Sequence, residues 1–122
     1  MVRKLGGKFS DEMVASVLDS LEQRNLLSDA RYAEQYLSMR LRKGYGPVRI
    51  SNELRERGVD AELISLAFET AEIDWFEMLR QAHDRKYGQQ IPSDYKEQAR
   101  RARFLEYRGF YAEQIRELLF TP

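Results

Sequence analysis

Apolar residues recur along this chain at intervals of three and four, the mark of helices that bury one face. The first such stripe is Val14, Val17, Leu18 and Leu21, with Ser10 or Asp11 placed to cap it and an end near Asn25. Ser28 or Asp29 caps the next, which carries Ala33, Tyr36 and Leu37 on one face. Gly44 suits its end, because glycine enters the left-handed C-terminal position without strain. Pro47 suits the first turn of the following helix, where its missing N–H has no helical partner anyway. That helix carries Ile50 and Leu54 and stops at Gly58. Asp60 caps another, bearing Leu63, Ile64, Ala67, Phe68 and Ala71. A helix from about Asp74 carries Phe76 and Leu79 and ends at Gly88. After a loop at Ile91 and Pro92, Ser93 caps a helix that ends at Gly109, and a last helix carries Ile115, Leu118 and Leu119. No stretch alternates as a strand would. The pattern predicts an all-α protein with six full helices and a short N-terminal one.

The chain also resembles itself. A shift of 51 residues lays LRERGVDAELI on LEYRGFYAEQI, so Leu54 meets Leu105, Arg57 meets Arg108, Gly58 meets Gly109 and Ile64 meets Ile115. Residues 29–72 and 74–120 read as two copies of a three-helix unit. Residues 1–25 fit the last part of an earlier copy, with VRKLGGKFSDEMV laid on NELRERGVDAELI with one gap.

Charge alters this picture. The chain is neutral overall, but residues 39–58 hold six cations and two acids, residues 59–79 hold six acids and no cation, and residues 80–108 hold eight cations and four acids. Such blocks either meet a charged partner or neutralise one another across a surface. Enzyme chemistry finds little support. His83 is the only histidine and there is no cysteine, so neither a histidine-based metal site nor a Cys–His pair can be assembled. His83 belongs at a helix boundary or in packing. No glycine-rich stretch ends in Gly-Lys-Ser/Thr. Met13, Met39 and Met78 read as core fillers. No apolar run approaches the length of a membrane span. With no cysteine and no signal-peptide core, a cytoplasmic location is expected. No metal and no cofactor is expected.

The two basic blocks contain the candidate binding residues. At 100° per residue, Arg40 shares the face of Tyr36 and Leu37, so it reads as structural, with its stem buried and its head paired to an acid of a neighbouring helix. Arg42, Lys43 and Arg49 read as solvent-facing cations gathered at the Gly44-Tyr45-Gly46-Pro47 corner. In the later copy, Arg100, Arg103, Phe104 and Tyr107 fall opposite Ala99, Ala102 and Leu105, so Phe104 is expected to pack on a second side and Tyr107 to be partly exposed. A basic and aromatic surface suits a protein groove or a nucleic-acid backbone with stacked bases.

The segments SDARYAEQYL, RLRKGYGPVRISNELRERG, DWFEMLRQAHDRKYG and RFLEYRGF, in this spacing, resemble the RecX family of RecA regulators over essentially the whole chain. RKGYGP followed by I…L…RG is the most specific part. The resemblance implies a curved, elongated array of tandem three-helix repeats: a partial first repeat at 1–27, a second at 28–73 and a third at 74–122. The departure lies at the N-terminus, where the first helices of the first repeat have no counterpart. The implied function is non-enzymatic. The resemblance implies a cytoplasmic monomer that binds the RecA filament on single-stranded DNA and inhibits recombinase and co-protease activity by groove occlusion or end capping, with weak direct DNA contact as an addition. The candidate partner-binding residues are Arg42, Lys43, Tyr45, Arg49, Lys86, Arg100, Arg101, Arg103 and Tyr107. Arg40, Gly44, Gly46, Pro47, Gly58 and Gly109 are the candidate structural set. The acidic block beside the basic corners favours a protein partner over bare DNA. Two alternatives stand beside this reading. A helix-turn-helix module is allowed by RISNELRERGVDAELISLAF, yet its second helix carries Glu62, Glu69 and Glu72 and no cation, which phosphates would repel. A general protein-interaction scaffold is the other.

Overall fold

The computed structural model describes the backbone of residues 11–121 and the side chains of residues 26–121. Six helices make up the fold: α1 (Asp11–Arg42), α2 (Pro47–Glu56), α3 (Ala61–Ala71), α4 (Trp75–Tyr87), α5 (Tyr95–Tyr107) and α6 (Ala112–Phe120). Among the described residues there is no strand. The two helices expected before Gly44 are one. Residues 11–42 contain neither glycine nor proline, and Asn25, Ser28 and Asp29 each cost a helix interior only a few tenths of a kcal/mol, so nothing ends the helix there. At about 1.5 Å per residue, α1 is about 48 Å long. The stripe of Val14, Val17, Leu18 and Leu21, and the earlier copy expected over residues 1–25, lie outside the side chains described. The start of α5 also differs from expectation: Asp94, not Ser93, is its cap, and its carboxylate accepts the Glu97 N–H at 3.1 Å. Asp74 caps α4 in the same way.

Two separate cores organise the helices. Ala33, Tyr36, Leu37, Ile50, Leu54, Val59, Ile64 and Ala67 bury one another between the C-terminal part of α1, α2 and α3. Leu79, Ala82, Leu105, Phe110, Ile115 and Leu119 do the same for α4, α5 and α6. Every extensive helix–helix contact lies within one of these triplets. The chain is therefore a tandem pair of three-helix units.

The 51-residue repeat holds at the level of backbone hydrogen bonds. After α2, Gly58 N–H donates to the Arg55 carbonyl and Val59 N–H to that of Leu54; after α5, Gly109 and Phe110 donate to Glu106 and Leu105. Gly58 and Gly109 have φ of +86° and +95°, so both helices end in the same left-handed turn. The residue after each glycine, Val59 or Phe110, turns inward and is buried in its own core. The first helices follow a different offset. Ala33, Tyr36 and Leu37 correspond to Leu79, Ala82 and His83, 46 positions on, and all six are buried. The five extra residues fall between α4 and α5, in a longer loop and an added first turn of α5.

One consequence is a polar exchange in the second core. His83 stands where the first unit has Leu37, and Arg101 stands where it has Ile50. His83 is fully buried, and its Nε2 lies 3.1 Å from Arg101 Nη1 while its Nδ1 lies 2.9 Å from Asp84 Oδ1. A guanidinium only donates and a carboxylate only accepts, so the neutral ring with its proton on Nδ1 satisfies both neighbours.

Candidate binding surface at the joint between the units

The two units meet backbone to backbone. Gly46 N–H donates to the Arg108 carbonyl at 2.8 Å, and Val48 N–H donates to that of Gly109 at 2.9 Å. These are first-turn donors of α2, which no side chain of its own cap satisfies. The turn after α5 therefore caps α2, and Pro47 between them has no N–H to place. Side chains cannot enter this contact. A Cβ on Gly46 would stand 2.5 Å from the Gly109 carbonyl, and one on Gly109 would stand 2.3 Å from Arg49 Cβ. Gly46 and Gly109 are thus glycine because two main chains touch. Gly58, the repeat equivalent of Gly109, has open space around it and serves its helix end alone. A second contact is apolar: Phe68 of α3 and Trp75 of α4 lie with ring centroids 5.5 Å apart.

Around the glycine joint, cations and aromatic rings alternate in one connected chain. Arg57 and Arg40 lie over Tyr36, at 4.7 and 6.0 Å from its centroid. Tyr45 is contacted by Arg40 at 3.8 Å, Arg49 at 4.6 Å and Arg108 at 4.6 Å. Arg49 reaches on to Tyr107 and Arg108 to Phe104. Lys86 stands 3.9 Å over Phe104 and also faces Tyr87, whose ring Arg101 covers at 4.5 Å. Each such contact contributes about 0.5–1 kcal/mol where exposed and more where water is excluded. This chain crosses from one unit to the other twice, at Arg49 and at Arg108.

Glu53 anchors its near end. Its Oε1 accepts from Tyr36 Oη at 2.7 Å and Arg40 Nε at 3.0 Å, and its Oε2 accepts from Arg40 Nη2 at 2.9 Å and Arg49 Nε at 3.2 Å. The Arg40 and Glu53 side chains are 14% and 17% exposed. Burial pushes the Glu53 carboxyl up, but the hydrogen bonds from Tyr36, Arg40 and Arg49 outweigh it and hold the group below the usual carboxylate range. The same burial and the Glu53 carboxylate push the Tyr36 phenol up. At the far end, hydrogen bonds from Arg101 and Arg100 hold Glu97 below its ordinary value.

The sequence-based candidates separate into three kinds of residue. Arg40 pairs with Glu53 of the adjacent helix. Arg49 is not a solvent-facing cation: it is 29% exposed, bonded to Glu53 and, through Nη1, to the Tyr107 carbonyl of the other unit at 3.1 Å. The approach of Gly109 to the start of α2 brings that carbonyl within its reach. Arg101 is likewise drawn in, donating to Glu97, His83 and the Gln90 carbonyl. Tyr45 is half-buried beneath three guanidinium groups. Arg42, Lys43, Lys86, Arg100 and Arg103 are exposed, and of these only Arg100 has a carboxylate within ion-pair distance, Glu97, among the described residues. Tyr107 is 71% exposed, while Phe104 packs against the second core and sets its edge to Tyr87. Gly44, φ +85°, ends α1. Arg85 and Arg108 were missed. Arg108 Nη1 donates to the Lys43 carbonyl at 3.1 Å across the joint, and Arg85 makes a longer contact with that of Arg42. Their signal in the sequence was position: Arg108 is the repeat counterpart of Arg57, and Arg85 opens RKYG. No group of three histidine, aspartate or glutamate side chains converges as a metal site among the described residues.

Residues 28–67 match the family model for the second three-helix domain of RecX, and residues 72–119 match that for the third. The regulatory protein RecX of Ectopseudomonas mendocina (strain ymp) is 44% identical over 118 residues, 97% of this chain and 77% of that protein. This chain belongs to the RecX family. The regulatory proteins RecX of Serratia proteamaculans (strain 568) and Yersinia pseudotuberculosis serotype O:1b (strain IP 31758) are 44% and 42% identical. Those matches cover 87% and 88% of this chain but 63% and 59% of the relatives, so the chain spans about three fifths of their length. Within the two matched RecX domains, Gly46 lies in one and Gly109 in the other. The glycine joint is therefore a contact between the two matched domains of this chain.

Proposed function

We propose that this chain is a non-enzymatic regulator that binds the RecA filament on single-stranded DNA and lowers its recombinase and co-protease activities, by occluding the filament groove or capping its growing end. In this reading residues 28–73 and 74–122 are two repeats that meet successive periods of a partner that itself repeats, and residues 1–27 belong to a preceding one. The observation that carries the proposal is membership of a family of regulatory proteins. The geometry adds a joint closed by backbone hydrogen bonds with cations on its outside. Arg49 is engaged between the units and Arg101 inside the second one, so Arg42, Lys43, Lys86, Arg100 and Arg103, with Tyr107, are the residues that face the filament. No helix among the described residues is long and apolar enough to cross a membrane. The helix-turn-helix reading has no cation on its would-be recognition helix, α3, to support it.

The test is single-stranded-DNA-dependent ATP hydrolysis by RecA with and without this protein. Hydrolysis should fall as the wild-type chain is added. A variant carrying Arg42→Glu, Lys43→Glu and Arg103→Glu should melt like wild type and lose the effect, whereas Arg116→Glu on α6 should keep it. A wild-type chain that leaves RecA turnover unchanged at every ratio, or a triple variant that inhibits normally, would overturn the proposal.

A further inference from the structure

A cleft of about 250 Å³ opens at the joint, lined by Lys43, Gly44, Ala82, Arg85, Lys86, Phe104 and Arg108. Four of its seven lining residues are cations and none is an acid. None of the four has a carboxylate within ion-pair distance among the described residues, although every other basic corner residue drawn inward, Arg40, Arg49 or Arg101, has one. The cations are also aimed. Arg108 is tethered through Nη1 to the Lys43 carbonyl, and Lys86 is held over the Phe104 ring. The floor is kept low by two small residues: a Cβ on Gly44 would meet Arg85 Nη1 at 3.5 Å and Ala82 Cβ at 4.0 Å.

We infer that this cleft is a binding site for one phosphate group, shared between the two three-helix units, and that occupying it tightens their joint. Four converging positive charges without a counter-charge repel one another, and a compact oxyanion removes that repulsion while accepting charge-assisted hydrogen bonds from several donors at once. The size fits a single group. Small-molecule sites run to roughly 300–1,000 Å³, and this cleft is below that range, with room for a phosphate and its waters rather than a whole nucleotide. Carboxylate is the weaker fit, since one forked guanidinium already satisfies it. Lys43 and Gly44 come from the first unit and Arg85, Lys86 and Arg108 from the second, so a bound phosphate bridges them. The inference holds whether or not RecA is the partner. The phosphate can be free or part of a nucleic-acid backbone, and the two sources differ in what neighbouring charges they bring.

The experiment is titration of the full chain with inorganic phosphate, with a short oligothymidylate and with hexaglutamate, each against sodium chloride at equal ionic strength. Binding is followed by backbone amide shifts and thermal midpoint. Phosphate should raise the midpoint and move the amides of Lys43, Gly44, Lys86 and Gly109 together. If oligothymidylate moves the same amides at lower concentration, the source is a backbone; if only free phosphate does, it is a small anion. The double variant Arg85→Gln, Lys86→Gln should bind about tenfold or more weakly, the loss expected for missing charge-assisted contacts. Arg116→Gln, exposed on α6 away from the joint, should bind as wild type. Shifts equal to those with chloride, shifts mapping away from the joint, or binding of hexaglutamate without phosphate would each overturn the inference. Amide mapping on the wild-type chain decides it even if the double variant folds poorly.

Discussion

Replacing Glu53 by glutamine removes one charge and changes one atom, and it should uncouple the network around α1 and α2. The amide oxygen can still accept from Tyr36 Oη and Arg40 Nε, as Oε1 does at 2.7 and 3.0 Å. The new NH₂ group then faces Arg40 Nη2 and Arg49 Nε, which Oε2 holds at 2.9 and 3.2 Å. Two charge-assisted bonds become donor–donor contacts. Each such bond is worth about 1.5–3 kcal/mol when buried, and the partial exposure of Arg49 lowers its share, so Glu53→Gln should cost about 2–3 kcal/mol near neutral pH. The pH dependence adds a second check. Glu53 titrates below its ordinary value when folded, so its contribution is complete above the unfolded value of about 4.3 and is lost as pH falls through the folded one. Urea unfolding of wild type and variant, measured from pH 7 down to pH 3, should show a constant gap that closes at the acid end. Other carboxylates titrate in both proteins and cancel in the difference. A gap that stays the same at pH 3, or one under about 0.5 kcal/mol at neutral pH, would refute the reasoning.

The repeat-related glycines should respond unequally to alanine. Gly58→Ala should cost about 1–2 kcal/mol, the strain of a left-handed residue with open space around it, whereas Gly109→Ala adds overpacking against Arg49 for a total of about 2–5 kcal/mol; equal losses in thermal unfolding would remove the backbone joint as the explanation. Arg101→Ala should cost about 1–3 kcal/mol by stripping His83, Glu97 and the Gln90 carbonyl of their donor. The double change His83→Leu, Arg101→Ile restores the apolar pair of the first unit and should recover most of that loss in chemical denaturation; no recovery would mean that the two cores are not equivalent. Arg40→Ala, which leaves Glu53 under-satisfied and bares Tyr45, should lower stability by about 1–3 kcal/mol, and a variant melting like wild type would contradict its structural role.

Local rules in the sequence determined the helical class, the helix ends at Gly44, Gly58, Gly88 and Gly109, the start at Pro47 and the 51-residue repeat. Each of these depends on neighbours a few residues away, through apolar periodicity, the freedom of glycine or the missing donor of proline. The same rules placed one break too many, since Ser28 and Asp29 can cap a helix as well as continue one, and with neither glycine nor proline in residues 11–42 the helix runs on. Arg40 was legible as an inward residue because its helix face fixes its direction. What the sequence could not hold was the meeting of residues about sixty positions apart. Arg49 sits on a polar helix face and reads as free, yet the approach of Gly46 to Gly109 hands it the Tyr107 carbonyl. Arg101 reads as one more surface cation until the 46-residue offset of the first helices sets His83 beside it. The cleft of Lys43, Arg85, Lys86 and Arg108 draws on two helix ends and a turn from different units. A charge block shows how many cations there are, but which are spent on structure and which face solvent is decided by tertiary contacts, because hydrogen bonds and ion pairs act over a few ångströms of space rather than along the chain.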